Sequence, residues 1–435
     1  MYIKEIAASL YPWDLADCTA EKCVDDLMEH SGVNSVYLVG LMHKEKRPLT
    51  NMFYTLNPVR KFYLPEDSRV YYRMDEANFS KTRMKPIYSD RDFLKGKDWL
   101  DELTICARKR GLKTGVEISH TLFDTDFAME NFPEVFQRDI NGSPIPMSFC
   151  QNQPDVRAYM KAIFYDSVKN HDVDFIQTCM MTFHEGKAVM PPWFLKEKDP
   201  QNRVGYLLGT LRGGCFCKEC AKKARTWGYD WEKITADLRE LYKTCVAVST
   251  GFVDTKGAID NVMDNHLLMG SDLTETGFLL QNPSLYQWLE FRERSTTELF
   301  SEIYAEVKRA NPNAELRYNS YVPYPELAGI DFRRLAPNLD SVRDSDYSEQ
   351  FGAPDHFRKK QNNILKIRRG IGFDKSIIGA LSVRPNATPE LLMQAIEVYS
   401  TLGIDGLSLG HYDGSTYALL DSIREGMRRS GMQLV

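Results

Sequence analysis

The sequence lacks the signatures of several large protein classes. No stretch approaches the roughly 18 consecutive apolar residues that a membrane-spanning helix needs, so no membrane span is expected. A basic excess is also missing, because the net charge is −5 and a nucleic-acid-binding face needs positive charge. The Gly-x-Gly-x-x-Gly motif is absent after the first predicted strand, and the phosphate-binding loop Gly-x-x-x-x-Gly-Lys-Ser/Thr is absent throughout. The first two absences weigh against membrane and nucleic-acid partners, and the missing glycine motifs weigh against a doubly wound sheet.

A disulfide framework and a secretion signal are missing as well. The nine cysteines are an odd number and are spread along the chain without the spacing of a disulfide scaffold. The segment Met1–Ile6 is not a charged leader followed by an apolar region. We therefore expect reduced thiols and a cytoplasmic location.

What is present is a regular alternation of apolar strands with helices. Eight segments have the character of buried strands, and a predicted helix follows each of them. This α/β pattern predicts a parallel sheet, and eight units indicate a single (β/α)8 TIM barrel over residues 1–435, with a doubly wound sheet as the alternative. Long loops are expected after strands 2, 3 and 4, the last holding a large insertion at about residues 186–282. The predicted strands are Ile3–Tyr11, Asn34–Met42, Leu112–Ser119, Asp174–Phe183, Ala314–Tyr321, Leu339–Asp346, Ser376–Val383 and Gly406–Gly410.

Polar and ionisable side chains follow every predicted strand. In barrels of this kind the active site lies at the carboxyl ends of the strands, so these side chains are the candidates for a functional site. They include carboxylates, His, Tyr, Asn and Arg, which sugar chemistry uses for proton transfer and for holding hydroxyl groups. The predicted substrate-binding residues are Trp13, His43, His120, His184, Arg317, Tyr318, Asn319, Arg384, His411, Tyr412 and Asp413.

Four carboxylates are the candidates for catalysis. Glu185, at the end of strand 4, is the first choice for the acid/base. Asp344 and Asp346 come next, as nucleophile, base or hydroxyl ligand. One residue separates them, so both should point to the same side of the sheet, and both face the pocket if strand 6 turns them inward. An ion-pair network with nearby arginines is the alternative for this pair, and Glu117 is a further catalytic candidate.

A thiol cluster lies within the predicted insertion. Cys215, Cys217 and Cys220 have a Cys-x-Cys-x-x-Cys spacing, which lets one turn aim three sulfur ligands at one ion. A structural zinc site needs a fourth ligand, and both Cys150 and Cys179 precede the cluster. Cys179 lies inside a predicted strand and has the character of a small core residue, whereas Cys150 lies in a loop, so Cys150 is preferred. Three unrelated free thiols are the alternative.

The segment Cys150–Pro154, a Cys-x-Asn-x-Pro motif, combines with the downstream thiol cluster in a way that resembles the family 42 β-galactosidases. The resemblance covers roughly residues 149–224 and the barrel plan. In that family the four matching cysteines hold a zinc ion, which implies the same role here. That family ends strand 4 with Asn-Glu and strand 7 with a nucleophilic Glu. Here strand 4 ends with Phe183–Glu185 and strand 7 with Ser382–Pro385, which has no carboxylate, so the resemblance implies a distant relative of glycoside hydrolases.

These observations predict a glycoside hydrolase-like enzyme that cleaves a short oligosaccharide or glycoside by carboxylate acid/base catalysis. Aromatic residues in the loops, such as Tyr54, Tyr71 and Trp193, support a carbohydrate substrate. A metal-dependent sugar isomerase, epimerase or lyase is one alternative, because the strand-end carboxylates and imidazoles could ligate a divalent ion. A sugar-binding barrel without catalysis is another. A structural zinc is expected and an organic cofactor is not, and the sequence leaves a homo-oligomer open.

Overall fold

Eight parallel strands form a closed ring in the computed structural model, which describes residues 1–42, 54–66, 68–119, 122–179, 181, 183, 214–250, 279–320, 325–347, 349 and 354–435. The strands pair in sequence order, and the ring closes where Ser408 of the last strand pairs with Ala7 of the first. The predicted (β/α)8 barrel is thereby confirmed. The strands are β1 (Glu5–Leu10), β2 (Ser35–Met42), β3 (Lys113–Ile118), β4 (Phe175–Cys179), β5 (Glu315–Ser320), β6 (Ser341–Asp344), β7 (Ser376–Ser382) and β8 (Gly406–Gly410).

Helices follow the strands and cover the outside of the ring. Their ends use the expected capping chemistry: the Thr388 hydroxyl accepts a hydrogen bond from the Leu391 amide at 3.2 Å, and Gly32 ends a helix at φ 71°. The helices are α1 (Pro12–Cys18), α2 (Ala20–Ser31), α3 (Trp99–Arg108), α4 (Thr125–Asn131), α5 (Pro154–Lys169), α6 (Lys218–Thr226), α7 (Trp231–Thr250), α8 (Pro283–Ala310), α9 (Phe332–Leu335), α10 (Pro354–Ile371), α11 (Pro389–Ser400) and α12 (Tyr417–Ser430). Within the described residues, no helix is both long and apolar enough to cross a membrane.

Short strands and 3₁₀ turns supplement the barrel. The strand Tyr2–Ile3 pairs with Gln433–Leu434, and Arg69–Val70 pairs antiparallel to β2. A hairpin of Phe136–Arg138 and Pro144–Phe149 precedes α5. Seven of the eight barrel strands are shorter than predicted, and the differences are largest for β4, whose strand pairing ends at Cys179, and for β6, whose pairing ends at Asp344.

The interior of the ring is a packed core. Ala7, Tyr37 and Phe175 form a small apolar cluster inside it, separate from the large core between strands and helices. Gly115 is required beside this cluster, because an added Cβ would lie 2.3 Å from the Phe175 ring. Side chains therefore fill the barrel, as this fold requires, and a ligand has access only from its ends.

A second apolar core lies beside the ring and contains the thiol cluster. Helices α6 and α7 and the first part of α8 form it, together with Cys150 and Phe183. It belongs to the predicted insertion after β4, whose segments 184–213 and 251–278 lie outside the described residues.

Candidate functional site

The guanidinium of Arg343 is the centre of a polar cluster inside the barrel. Its Nε donates to Ser408 Oγ at 2.9 Å, and its Nη1 donates to Asn319 Oδ1 at 2.9 Å and to Ser345 Oγ at 2.7 Å. Its Nη2 donates to the Tyr347 hydroxyl at 2.6 Å, and only 1% of the residue is exposed. Side chains from β5, β6, β8 and the segment after β6 thus meet on one rigid planar donor.

Glu117 of β3 is the carboxylate that belongs to this cluster. It pairs in register with Gln177 of β4, whose amide nitrogen donates to its Oε2. Burial raises the pKa of Glu117, while Arg343 and the Gln177 hydrogen bond act in the opposite direction. A buried carboxyl group with a raised pKa is suited to donate a proton near neutral pH.

An aromatic wall borders the cluster on the side of β1. The Trp13 indole stacks on the Tyr11 ring with a centroid distance of 4.4 Å and an interplanar angle of 11°. The rings of Tyr54 and Tyr63 pack on the same indole at 6.2 and 5.1 Å. The indole nitrogen lies 3.5 Å from Asp413 Oδ2, so the wall also reaches the end of β8.

His411 and Asp413, which follow β8, are both influenced by Arg384 at the end of β7. The His411 Nδ1 lies 2.6 Å from Ser9 Oγ. Burial, together with Arg384 and Arg343, holds the pKa of His411 well below its ordinary value, so the imidazole is neutral. Burial raises the pKa of Asp413 to about 6, and Arg384 opposes that rise. We call this carboxyl-terminal end of the barrel the mouth. It combines the neutral imidazole of His411 with the guanidinium groups of Arg343 and Arg384 and the buried carboxyl groups of Glu117 and Asp413.

Asp344 faces the helix layer rather than the barrel interior. The Asn363 amide of α10 donates to its Oδ1 at 3.3 Å, and the Tyr399 hydroxyl of α11 lies 3.5 Å from its Oδ2. Because Arg343 points inward, the alternation along β6 places its neighbour outside. Burial and the charge of Asp346 raise the pKa of Asp344 to about 7, so the two carboxylates lie together. Strand β6 does not turn the Asp344 side chain toward the barrel interior, so this side chain does not face the predicted pocket.

Lys360 holds the chain segment after β6 from behind the barrel wall. Its Nζ forms a fully buried ion pair with Glu349 Oε2 at 2.8 Å, and it donates to the carbonyl oxygens of Ala380, at 3.0 Å, and Asp346. The other Glu349 oxygen accepts a hydrogen bond from the Ser382 amide. The lysine thereby links this segment to β7. The same segment carries Tyr347, whose hydroxyl accepts a hydrogen bond from Arg343.

Asp344→Asn should change stability in a pH-dependent way. The folded carboxyl group has a pKa near 7 and an ordinary pKa of 3.8, so between these values the folded state binds more protons than the unfolded state. Wild-type stability therefore falls as pH rises from about 4 to about 7, a loss that the neutral amide does not suffer. In thermal unfolding at pH 5 and pH 8, the midpoint of the variant relative to that of the wild type should be higher at pH 8 than at pH 5. A difference that is equal at both pH values would contradict a raised pKa of the buried Asp344 carboxyl group.

Three predicted substrate-binding residues lie away from the mouth. Arg317 pairs with Glu5 at 2.9 Å, and Glu5 is the first residue of β1, which puts this ion pair at the amino-terminal end of the barrel. Tyr318 packs against aromatic rings of α8 and α9 on the outer face. The Tyr412 hydroxyl donates to Asp26 of α2 at 2.8 Å. These three side chains have structural partners and are not part of the proposed site.

Five other predicted positions lie outside the described residues: His43, His120, His184, Glu185 and Trp193. Conversely, sequence reasoning missed several members of the polar cluster. Gln177 carried a usable signal, because it is a polar residue in the middle of an apolar strand. Tyr347 and Lys360 carried none, since the segment after β6 and the face of α10 have the ordinary composition of exposed chain.

The four predicted metal ligands meet in the second core. The sulfur atoms of Cys150, Cys215, Cys217 and Cys220 all lie within 4.8 Å of one another, and Cys150 Sγ is 3.5 Å from two of them. Zinc–sulfur bonds of about 2.3 Å in a tetrahedron separate the sulfurs by roughly 3.8 Å. The Asn152 backbone and side-chain amides donate to Cys150 and Cys220 sulfurs at 3.4 and 3.3 Å, as outer partners of thiolate ligands do. This buried group fits a metal ion, and Cys179 is not part of it.

Solved structures with the same barrel include glycoside hydrolases. A β-galactosidase from the haloarchaeon Halorubrum lacusprofundi is 14% identical, covers 97% of this chain and 57% of its own, and has a TM-score of 0.55. The α-L-fucosidase isoenzyme 2 of Paenibacillus thiaminolyticus is 13% identical over 98% of this chain and 49% of its own, with a TM-score of 0.53. Gan42B, a GH42 β-galactosidase from G. stearothermophilus, is 12% identical over 99% and 57%, with a TM-score of 0.51.

The likeness to these structures shows the fold. The chain is a (β/α)8 barrel whose fold is similar to that of the family 42 β-galactosidase Gan42B and of the other glycoside hydrolases named above. It spans about half the length of the proteins named above. No protein-family model matches the sequence, and no curated protein matches it.

Proposed function

We propose that the protein is an enzyme that cleaves a glycosidic bond by carboxylate acid/base catalysis at the carboxyl-terminal face of the barrel. The observation that carries the proposal is the environment of Glu117. Its carboxyl group is buried, has a raised pKa, and accepts a hydrogen bond from Gln177 beside the guanidinium of Arg343. The stacked pair of Tyr11 and Trp13 is buried beside this group and packs against His411, so it supports the site from the side of β1. The substrate is then a short oligosaccharide or glycoside.

Glu117 and Asp413 have different protonation behaviour, which suits an acid and a base. Both carboxyl groups act on the pKa of the Tyr11 phenol, which supports their lying around one space. Asp413, with a pKa of about 6, is ionised at neutral pH, whereas burial favours the protonated form of Glu117. Glu185 stays a sequence-based candidate for the acid/base. Arg343, Asn319 and His411 would orient hydroxyl groups.

The four cysteines would hold a structural zinc ion that pins the connection after β4. Structural zinc contributes directly to the free energy of folding. Four buried thiolates suit a reducing compartment, and we propose the cytoplasm. The metal-dependent isomerase alternative stays open, because two of its predicted ligands, His120 and His184, lie outside the described residues.

Turnover on a panel of glycosides tests the proposed function. The panel includes β-galactosides and α-L-fucosides, which the names of the structural neighbours suggest as first substrates. We expect hydrolysis that survives mild chelation, with kcat/KM falling below a pH of about 6 as Asp413 takes up a proton. Asp413→Asn should remove that acid limb and lower kcat/KM by about 100-fold. Sugar binding without any product would overturn the proposal. So would a loss of activity on mild chelation while the thiol-bound zinc is retained, because it would indicate a second metal that takes part in catalysis.

A further inference from the structure

The side chain of Ser9 points into the barrel and reaches the residue that follows β8. Ala7, two residues earlier on β1, belongs to the apolar cluster inside the ring, and alternate residues of a strand share a face. Ser9 is fully buried, and its hydroxyl oxygen lies 2.6 Å from His411 Nδ1. The same hydroxyl lies 3.2 Å from the carbonyl oxygen of Leu409. One serine therefore contacts both the backbone of β8 and the imidazole at the mouth.

The two contacts of this hydroxyl indicate which imidazole nitrogen carries the proton. A serine hydroxyl has one proton to donate, and a carbonyl oxygen can only accept. When Ser9 donates to the Leu409 carbonyl oxygen, its contact with His411 needs a proton on Nδ1, which Ser9 Oγ accepts. The reverse arrangement, in which Ser9 donates to Nδ1, gives up the hydrogen bond to the carbonyl oxygen. Both contacts are hydrogen bonds only when the neutral imidazole is protonated on Nδ1, and this leaves a lone pair on Nε2.

The second ring nitrogen, Nε2, is open to a ligand. Among the described residues it has no hydrogen-bond partner, and His411 is partly exposed. The Tyr11 ring packs against the imidazole at a centroid distance of 4.7 Å, so the imidazole is held both at Nδ1 and by an aromatic neighbour. A Cβ added at Gly410 would lie 2.8 Å from the Tyr347 hydroxyl, which accepts a hydrogen bond from Arg343. The residue before His411 thus contacts the polar cluster, and the open nitrogen belongs to the mouth.

We propose that Ser9 holds His411 as the Nδ1–H tautomer, so that Nε2 is a hydrogen-bond acceptor for one hydroxyl group of the sugar. This role rests on the proposed function, and Ser9 is a positioning residue because it acts through His411. A sugar hydroxyl can donate to Nε2 while it accepts from a guanidinium, which only donates. The low pKa of His411, caused by burial and by Arg384 and Arg343, keeps the lone pair of Nε2 available at neutral pH. The mouth would therefore select a free hydroxyl over a deoxy position.

Nitrogen NMR on the full chain with isotopically labelled histidine measures the tautomer without any ligand. The protein has eight histidines, and the signals lost in His411→Gln identify those of His411. In the wild type we expect a protonated Nδ1 and an unprotonated Nε2, whose shift lies far downfield of that of a protonated nitrogen. Ser9→Ala should move both shifts toward those of a mixture of tautomers. Ser9→Thr, which keeps the hydroxyl, should retain the wild-type shifts.

Ser341→Ala is the matched control for the serine variant. Ser341 is also a fully buried serine of a barrel strand, but it is the first residue of β6 and its hydroxyl accepts a hydrogen bond from Arg317 at 3.2 Å. It lies at the amino-terminal end of the barrel, so its loss should leave the His411 shifts unchanged.

The selection of a hydroxyl is tested with the glycoside that binds best in the panel and with its singly deoxygenated analogues. One analogue should bind the wild type about 3- to 10-fold more weakly than the parent glycoside, as expected for the loss of one neutral hydrogen bond. That ratio should shrink in Ser9→Ala, because a protonated Nε2 no longer accepts from the hydroxyl.

Three results would overturn the proposal. The first is a wild-type His411 that is protonated on Nε2, and the second is a folded Ser9→Ala variant with wild-type shifts. The third is an affinity ratio that Ser9→Ala leaves unchanged for every analogue. The wild-type spectrum needs neither a variant nor a substrate. A failure to find glycoside turnover would thus contradict the proposed function, while the tautomer of His411 is decided separately.

Discussion

Glu117→Gln should lower kcat by about 10²- to 10⁴-fold while the protein stays folded, the range expected when a positioned proton donor is lost. The amide has the shape of the carboxyl group, and its oxygen can still accept the hydrogen bond from Gln177. What it cannot do is transfer a proton to the leaving group. The measurement is kcat and KM on the best substrate of the glycoside panel, together with the thermal midpoint. The decline of kcat at high pH, where a general acid loses its proton, should also disappear.

Asp344→Asn is the control for this result. Asp344 is buried like Glu117 and its pKa is also raised, but its carboxyl group faces α10 and α11. The same chemical change should therefore leave turnover within a few-fold of the wild type. Equal losses of turnover in both variants would show that the outward direction of the Asp344 side chain does not exclude it from function. Full activity in Glu117→Gln would remove Glu117 from the mechanism and move the acid role to Glu185.

Lys360→Met should destabilise the protein by about 3–5 kcal/mol, as expected when one partner of a buried ion pair is removed. Lys360 and Glu349 are both fully buried, so the variant leaves a carboxylate inside the protein without its cation. The lysine also donates to two backbone carbonyls, which would lose their partner. Urea unfolding at neutral pH measures the change in the free energy of unfolding.

A double variant separates the charge from the packing in that result. Lys360→Met combined with Glu349→Gln removes both charges and should recover part of the lost stability, because the amide costs less to bury than an unpaired carboxylate. A loss below about 1 kcal/mol in the single variant would mean that water reaches Glu349 when the lysine is gone. No recovery in the double variant would place the cost in the lost carbonyl contacts instead.

The fold could be predicted because its signal is repeated eight times along the chain. Each apolar segment is ambiguous alone, but the regular succession of strand and helix leaves few architectures. The observed β8 has the predicted limits, Gly406–Gly410, and β7 differs by a single residue at its end. The differences in length are largest for β4 and β6. Apolar residues continue beyond the last paired residue of β4, and polar residues beyond that of β6, so composition does not mark where strand pairing stops.

The site was harder to predict because it depends on strand register and on the direction of each side chain. Arg317 and Asn319 are two residues apart on the same face of β5, yet Arg317 lies level with the beginning of β1 and only Asn319 reaches the inner cluster. Arg343 and Asp344 are adjacent polar residues in a strand that is buried on both faces, so polarity could not tell which one points inward. Register and facing come from pairing with distant strands, which the local sequence does not contain.

The cysteine site was easier because three of its ligands are local. Their spacing alone predicts a shared ion, and only the fourth ligand needed a choice between Cys150 and Cys179. That choice rested on strand membership, and in the structure Cys150 lies with the other three thiols while Cys179 ends β4.

The separate packing of the second core has a consequence for how the molecule unfolds. Its apolar side chains surround four thiols and form a cluster distinct from the one that lines the barrel wall. Much of its stability comes from the bound ion if the site is loaded, so this region can open while the ring stays closed. Heat or denaturant would then populate an intermediate that exposes the cysteines, and the transition would not be all-or-none. The protein would combine one cooperative unit maintained by apolar packing with a second whose stability follows the supply of metal.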